Sequence, residues 1–189
     1  SAVPKGEGGM LAVLGTDLKI ISDLLNENQK KYQCFIANDN STGQIVLSGM
    51  NKDLDALTED LKKNTIKNIR LPVSAPFHSK LMSSATEIMK QEINQSNFIH
   101  PKNTIISNVT SLETTEPNQI KELLIKQIEN PVRWRESVIY MINKGVTKFV
   151  EIGPGKVLSG LVKRIDRSVT IVSINELDDL QGVKLNDWF

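Results

Sequence analysis

Residues 71–80, LPVSAPFHSK, hold one of the two histidines in the chain, closed in by Pro72 and Pro76. Pro76 biases Ala75 towards an extended backbone. Helical spacing begins at about Ser79, so His78 sits where a strand gives way to a helix. The positive end of a helix dipole disfavours imidazolium there. A neutral imidazole near pH 7 is what a general base needs. The same placement also suits a half-exposed histidine without a chemical role, and the residues alone leave both readings open. His100, in NFIHPKN between a helix and a strand, reads as a surface loop.

A base needs a group to activate. Cys34, the one cysteine, lies in the apolar stretch YQCFIAN and reads as buried and unreactive. No serine stands in a G-x-S-x-G elbow, and Ser159 falls inside a helical stretch. The segment EIGPGKVLSG runs from a strand through a Gly-Pro-Gly turn into a helix, with Lys156 in its first turn. It is either a tight structural turn or an anion cradle at a helix N-terminus. The spacings G-x-x-x-x-G-K-[ST] and G-x-G-x-x-G are both absent. Lys163 and Arg164 continue on the polar face, where they either meet an acidic partner or form a solvated surface. Asn38 and Asn40, in ANDNSTGQ, either build a turn, because Asn tolerates positive φ, or hydrogen-bond a substrate.

The elements that must position these residues follow from periodicity. Residues 9–15 are a short apolar run between glycines and read as a buried strand. A helix follows, capped by Thr16 or Asp17, with Leu18, Ile21, Leu24 and Leu25 on one face. YQCFIAN is a strand, DNSTG a turn, QIVLSG a strand, and NKDLDALTEDLKKN a helix striped by Leu54, Leu57 and Leu61. IKNIRLPVSA is a strand ending near Ser74. The order β-α-β-β-α-β is the ferredoxin-like pattern.

After residue 76 the spacing predicts a helix with Leu81, Ala85, Ile88 and Met89 on one face. It then predicts a strand over NTIISNVT, and helices over PNQIKELLIKQI and NPVRWRESVIYMINKG. Pro131 suits a first helical turn and Gly145 a stop. VTKFVEIG is a strand. The helix after Gly155 carries Val157, Leu158, Leu161, Val162 and Ile165 on its buried side. VTIVSIN is a last strand, and the tail 176–189 shows no period. Strands alternating with helices point to a parallel sheet covered on both faces. About three strands are available for it, so part of the layer reads as missing.

The chain has 189 residues, 23 Lys and Arg against 22 Asp and Glu, and 39% hydrophobic residues. This near-neutral balance supplies no global field for nucleic acid or a membrane surface. No apolar run approaches the roughly 18 residues of a bilayer span, and no signal peptide opens the sequence. A single cysteine fits a reducing compartment, and two histidines with one cysteine are too few for an ordinary N/S zinc site.

The motifs LPVSAPFHSKLM, NPVRWRESV and FVEIGPGKVLSGLVKRI, with GGMLAVLG, ANDNSTGQIVLSG and IISNVT, resemble the bacterial malonyl-CoA:acyl-carrier-protein transacylases of fatty acid synthesis. The resemblance spans nearly residues 8–175 in one collinear order. It implies an α/β fold: a ferredoxin-like small subdomain and the C-terminal half of an α/β-hydrolase-like parallel-sheet large subdomain. The boundaries are a linker over 1–8, the small subdomain over 9–75, and the large-subdomain part over 76–189.

The resemblance also implies roles. His78 matches the catalytic histidine, and Gln127 matches a residue whose main-chain carbonyl takes the histidine's other N–H. Asn38 and Asn40 match a segment of the small subdomain that faces the cleft, and Phe77 stands beside the histidine where some members have serine; all three are candidate substrate-binding residues, and a bulky Phe77 favours malonyl over a branched acid. Lys156, Lys163 and Arg164 are the candidate cations of a carrier-docking surface. The family's nucleophilic serine, in a G-H-S-x-G elbow, and its carboxylate-binding arginine have no counterpart here. The chain is therefore expected to lack activity alone. No tightly bound cofactor is implied. Malonyl-CoA and acyl carrier protein are the expected partners, without nucleic acid or membrane, and the expected location is cytoplasmic. The competing readings are a non-catalytic carrier-binding module and a free-standing regulatory domain.

Overall fold

The computed structural model describes residues 6–182. Two compact units emerge, one running to Ser137 and the other from Val138. The first begins with β1 (Gly8–Leu14), α1 (Leu18–Glu27), β2 (Cys34–Ser41), β3 (Gln44–Met50), α2 (Asn51–Lys63) and β4 (Lys67–Arg70). The strands form one antiparallel sheet in the order β2-β3-β1-β4. This is the element order the spacing predicts.

Alternation puts Leu11 and Val13 of β1 and Ile45 and Leu47 of β3 on one face. The stripes of α1 and α2 cover that face, and Ile21, Leu54, Leu57 and Leu61 are as inaccessible as the strand residues. Each such side chain contributes roughly 1.5–3 kcal/mol by leaving water. The opposite face holds a smaller cluster of Met10, Ala37 and Val46, with Leu71 against it. Asp17 occupies the cap position of α1 but makes no side-chain cap bond.

Strand β2 runs further than its sequence suggests. Two register shifts, between Ile36 and Asn38 and between Asp39 and Ser41, carry it through the expected turn as far as Ser41. The reversal narrows to Thr42 and Gly43, whose φ of +74° only glycine adopts without strain. Strand β4 stops at Arg70 rather than near Ser74, because Pro72 cannot donate to a ladder.

The rest of this unit departs more from expectation. A 3₁₀ turn, Lys80–Met82, precedes α3 (Ser83–Gln95). No residue of α3 is buried; Ile88 is 63% and Met89 45% exposed, so the apolar face read from the spacing is not covered among the described residues. The strand expected over 103–110 is only β5 (Ile105–Ile106), which pairs antiparallel with β6 (Glu113–Thr114) and joins no parallel sheet. The chain reverses between them at Ser111, which has φ of +58°. Helix α4 is Pro117–Gln127, with Pro117 in its first turn. Helix α5 is Trp134–Asn143, so Pro131 lies ahead of it and not inside its first turn. Residues 131 and 132 are drawn off to the sheet edge instead: Val132 N–H donates to the Ala37 carbonyl at 2.8 Å, and Asp39 N–H to the Val132 carbonyl at 2.9 Å.

In the second unit, β7 (Lys148–Ile152) and β8 (Thr170–Ile174) pair in parallel across α6 (Val157–Ile165). Leu161 and Val162 are buried, whereas Val157 is 71% exposed and Leu158 is exposed too, so the buried side of α6 is narrower than its sequence suggests. A short helix, α7 (Leu177–Gly182), occupies the start of the tail where no period was legible. The rest of the tail lies outside the described residues.

Candidate active site

His78 is fixed from two directions. Pro76 is fully buried. A Cβ at Gly8 would stand 2.4 Å from Pro76 Cδ, so the absence of a side chain at the start of β1 admits the proline ring. Buried Ser79 donates its hydroxyl to the Pro76 carbonyl at 2.7 Å. Between them His78 adopts φ of +58°, a left-handed conformation in which histidine is enriched among non-glycine residues.

The second direction is α4. Nδ1 of the half-buried His78 lies 3.0 Å from the main-chain oxygen of Gln127, the last residue of that helix. The last carbonyls of a helix have no intrahelical donor, so this oxygen is open to an outside one. A carbonyl only accepts, so a hydrogen bond to this oxygen places the hydrogen on Nδ1 and leaves the lone pair of the neutral ring on Nε2; the Gln127 side-chain amide nitrogen stands further from Nδ1, at 3.5 Å. The Gln127 carbonyl that the resemblance pairs with His78 is thus at the C-terminal end of α4, which faces the ring. The Gln127 amide donates to the Asn130 carbonyl at 2.8 Å, and the Asn130 amide donates to the Lys126 carbonyl at 2.7 Å.

A cavity of about 680 Å³ opens beside His78, between α1, the first part of β2 and residues 129–131. Cys34 lines it, half-buried rather than buried. Burial, with the Asp53 carboxylate adding and Arg70 opposing, pushes its thiol up to about 12. Tyr32 lines the cavity too, and burial, reinforced by Asp60, pushes its phenol to about 12. Both groups are protonated at neutral pH, so neither supplies an anionic nucleophile to His78.

The other predicted site residues are scattered. Asn38 and Asn40 are half-buried and do not line this cavity. Asn38 stands opposite Val46, within strand β2 and not in a turn. Phe77 is 43% exposed. Lys156 holds the cap position of α6, and Lys163 and Arg164 lie in its last turn, all three exposed. The anion-cradle reading of EIGPGK meets an occupant. Glu151 accepts the N–H groups of Leu158 at 3.0 Å and Ser159 at 2.7 Å, so a carboxylate of the chain fills that helix N-terminus. Burial pulls the Glu151 carboxyl up, but hydrogen bonds from Ser159 and Leu158 outweigh it and hold it below its ordinary value. His100 is exposed, as the loop reading expects.

Sequence reasoning missed Asp39 and Arg135. Asp39 is 3% exposed and faces Arg135 across 96 residues. Arg135 Nε reaches both carboxylate oxygens at 3.0 Å, and Nη2 reaches one at 2.7 Å. This hydrogen bond raises the arginine's pKa against the pull of burial. The signal available was an acid inside a β-rich stretch, which read as a turn.

The family description "acyl transferase domain" matches residues 3–178. The chain belongs to this family. It is 43% identical over 184 residues to the malonyl CoA-acyl carrier protein transacylase of Bacillus subtilis strain 168, covering 95% of this chain and 57% of that protein. Among solved structures, the malonyl CoA-acyl carrier protein transacylase of Clostridium perfringens superposes with TM-score 0.92 at 36% identity, over 100% of this chain and 59% of that one. A malonyl-transacylase solved in complex with a type II PKS acyl-carrier protein superposes with TM-score 0.92 at 31% identity, over 98% and 60%. The chain thus spans about three fifths of the length of these relatives. Its α/β fold is that of the malonyltransferase structures. Among the described residues, no helix is long and apolar enough to cross a membrane, and no cluster of acidic, His and Cys side chains could hold a metal ion.

Proposed function

We propose that this chain supplies the general base of a malonyl transfer from coenzyme A to the phosphopantetheine thiol of acyl carrier protein, in fatty acid synthesis. The observation that carries the reading is the 3.0 Å contact between His78 Nδ1 and the Gln127 carbonyl oxygen, in a chain of the acyl transferase family. With Nδ1–H spent on that oxygen, Nε2 is the acceptor. It takes the proton of a serine hydroxyl as that oxygen attacks the malonyl thioester carbonyl, and the imidazolium returns the proton to the departing CoA thiolate. The carrier thiol then gives its proton to Nε2 and attacks the seryl ester, and the serine oxygen leaves with that proton. This is the triad logic with a main-chain carbonyl in the orienting place.

The serine and the arginine that would hold the malonyl carboxylate come, in this reading, from polypeptide outside these 189 residues. The second unit supports it. Parallel sheets are ordinarily covered on both faces, yet β7 and β8 show α6 on one side. Val150 and Ile152, the residues alternating with Glu151, are 40% and 79% exposed. The element and strand order of the first unit supports a ferredoxin-like small subdomain over 9–75, and the parallel pair supports part of an α/β-hydrolase-like sheet within 76–189. Asn38, Asn40 and Phe77 are assigned to substrate binding. Lys156, Lys163 and Arg164 are assigned to the carrier protein, whose complex with a malonyl-transacylase is among the superposing structures.

The test is malonyl transfer to acyl carrier protein. The isolated chain should show none. Mixing it with a polypeptide covering the part of the Bacillus subtilis relative that this chain does not match should restore transfer, and His78→Ala should abolish it again. Turnover by the 189 residues alone would refute the reading. A second reading, a carrier-binding module without catalysis, is favoured by the exposed cations of α6. Salt-sensitive carrier binding with no transfer in the reconstituted mixture would select it.

A further inference from the structure

We infer that Asp39 and Arg135 are positioning residues for His78: the ion pair of buried Asp39 with half-buried Arg135 clamps residues 130–135 onto the β2 edge and so aims the Gln127 carbonyl at Nδ1. The proposal rests on His78 being the base, but its test needs no turnover. Strand β2 is an edge of its sheet, and an edge strand offers unpaired N–H and C=O groups. Here that edge is taken by Val132, through one bond to Ala37 and one from Asp39. Two main-chain bonds form a short ladder that a β-strand would normally extend.

The Asp39 side chain adds three contacts of 3.0 Å or less to Arg135, three residues further along. The planar guanidinium suits such a forked grip. From Val132 the path back to the carbonyl is short. Asn130 bonds to Lys126 and accepts from Gln127, which locks the last turn of α4. The register shifts on either side of Asp39 have a role on this account, because a bulge re-aims side chains.

Among the described residues, loss of the clamp leaves the two Val132 bonds as the hydrogen bonds that tie residues 130–135 to β2. The carbonyl then competes with water for Nδ1–H, and the ring relaxes towards the Nε2–H form that histidine prefers in water. That form has no lone pair on Nε2.

The experiment is ¹⁵N NMR of the His78 imidazole above its titration range, in the wild-type chain, Asp39→Asn, Arg135→Gln and Arg135→Lys. Leu57→Ala, in the helix-covered core of the same unit, is the control for general destabilisation. In Asp39→Asn and Arg135→Gln the Nδ1–H to Nε2–H ratio should fall about tenfold, the net worth of roughly one hydrogen bond. Arg135→Lys keeps the charge and should recover part of it. In Leu57→Ala the ratio should hold at its wild-type value. An unchanged ratio in folded Asp39→Asn or Arg135→Gln overturns the proposal. So does an equal fall in Leu57→Ala, which would make the pair a stabiliser of the unit and nothing more. If one clamp variant does not fold, the other decides.

Discussion

Cys34 lines the same cavity as His78, and a cysteine beside a histidine is a familiar nucleophile. The structure predicts the opposite, and the prediction can be given a size. Burial, then the Asp53 carboxylate, lift the thiol from its reference value of 9.0 to about 12, with Arg70 pulling slightly back. At any pH below 9 its thiolate fraction is smaller than an ordinary thiol's by about a thousandfold, because each unit is a factor of ten in the ionisation equilibrium. A more basic thiolate is intrinsically more reactive. With a Brønsted slope near 0.4–0.5, three units return about twentyfold. The net expectation is alkylation roughly fiftyfold slower than for an exposed thiol, before any steric hindrance. Iodoacetamide modification followed by mass spectrometry from pH 6 to 10 measures it. The rate should climb tenfold per pH unit without reaching a plateau. A plateau near neutral pH, or modification at pH 7 as fast as a free thiol, would show an ionised Cys34. His78 would then have an anionic nucleophile beside it within this chain.

Substitutions at three other places test the surrounding framework. Gly8→Ala forces a methyl to within 2.4 Å of the rigid Pro76 ring. It should cost about 1–3 kcal/mol, as overpacking does, and should move the His78 ring resonances, both visible in denaturant titration and NMR. Glu151→Ala removes the acceptor that closes the α6 N-terminus, a loss of about 0.5–2 kcal/mol in urea unfolding if it behaves like an ordinary cap. Because the folded Glu151 carboxyl lies below its unfolded value, its contribution is fully present above the unfolded pKa. It is lost as pH falls through the lowered one, so wild type and Glu151→Gln should converge in acid. Lys156→Glu combined with Lys163→Glu should weaken carrier-protein binding by severalfold at low salt, since exposed pairs are each worth about 0.2–1 kcal/mol. The difference should shrink as salt screens it; equal binding at low salt would remove these cations from the docking surface.

The first four strands and two helices were legible because each is short, strongly patterned and closed by a turn signal. The leucines at 54, 57 and 61 lie one helical turn apart and are all fully buried. Where the pattern failed, a distant partner had taken over. Asn38 to Ser41 carries the composition of a turn, yet Val132 and Arg135 hold it as strand. Residues 131 and 132 belong to a helical pattern by spacing, but the β2 edge claims Val132. Ile88 and Met89 share an apolar helix face and Val157 reads as buried by its spacing; the structure leaves all three exposed. His78 and Gln127 could be paired only through resemblance, since nothing in either segment encodes a contact across 49 residues. The Asp39–Arg135 pair was invisible for the same reason.

The account turns on which imidazole nitrogen of His78 holds the hydrogen. Two-bond ¹H–¹⁵N correlation spectra of the wild-type chain, recorded above the titration range of the ring, report it directly. The prediction is a protonated Nδ1, hydrogen-bonded to the Gln127 carbonyl, and an unprotonated Nε2. A ring found mainly with Nε2 protonated, or exchanging freely between both forms as histidine does in water, would contradict it.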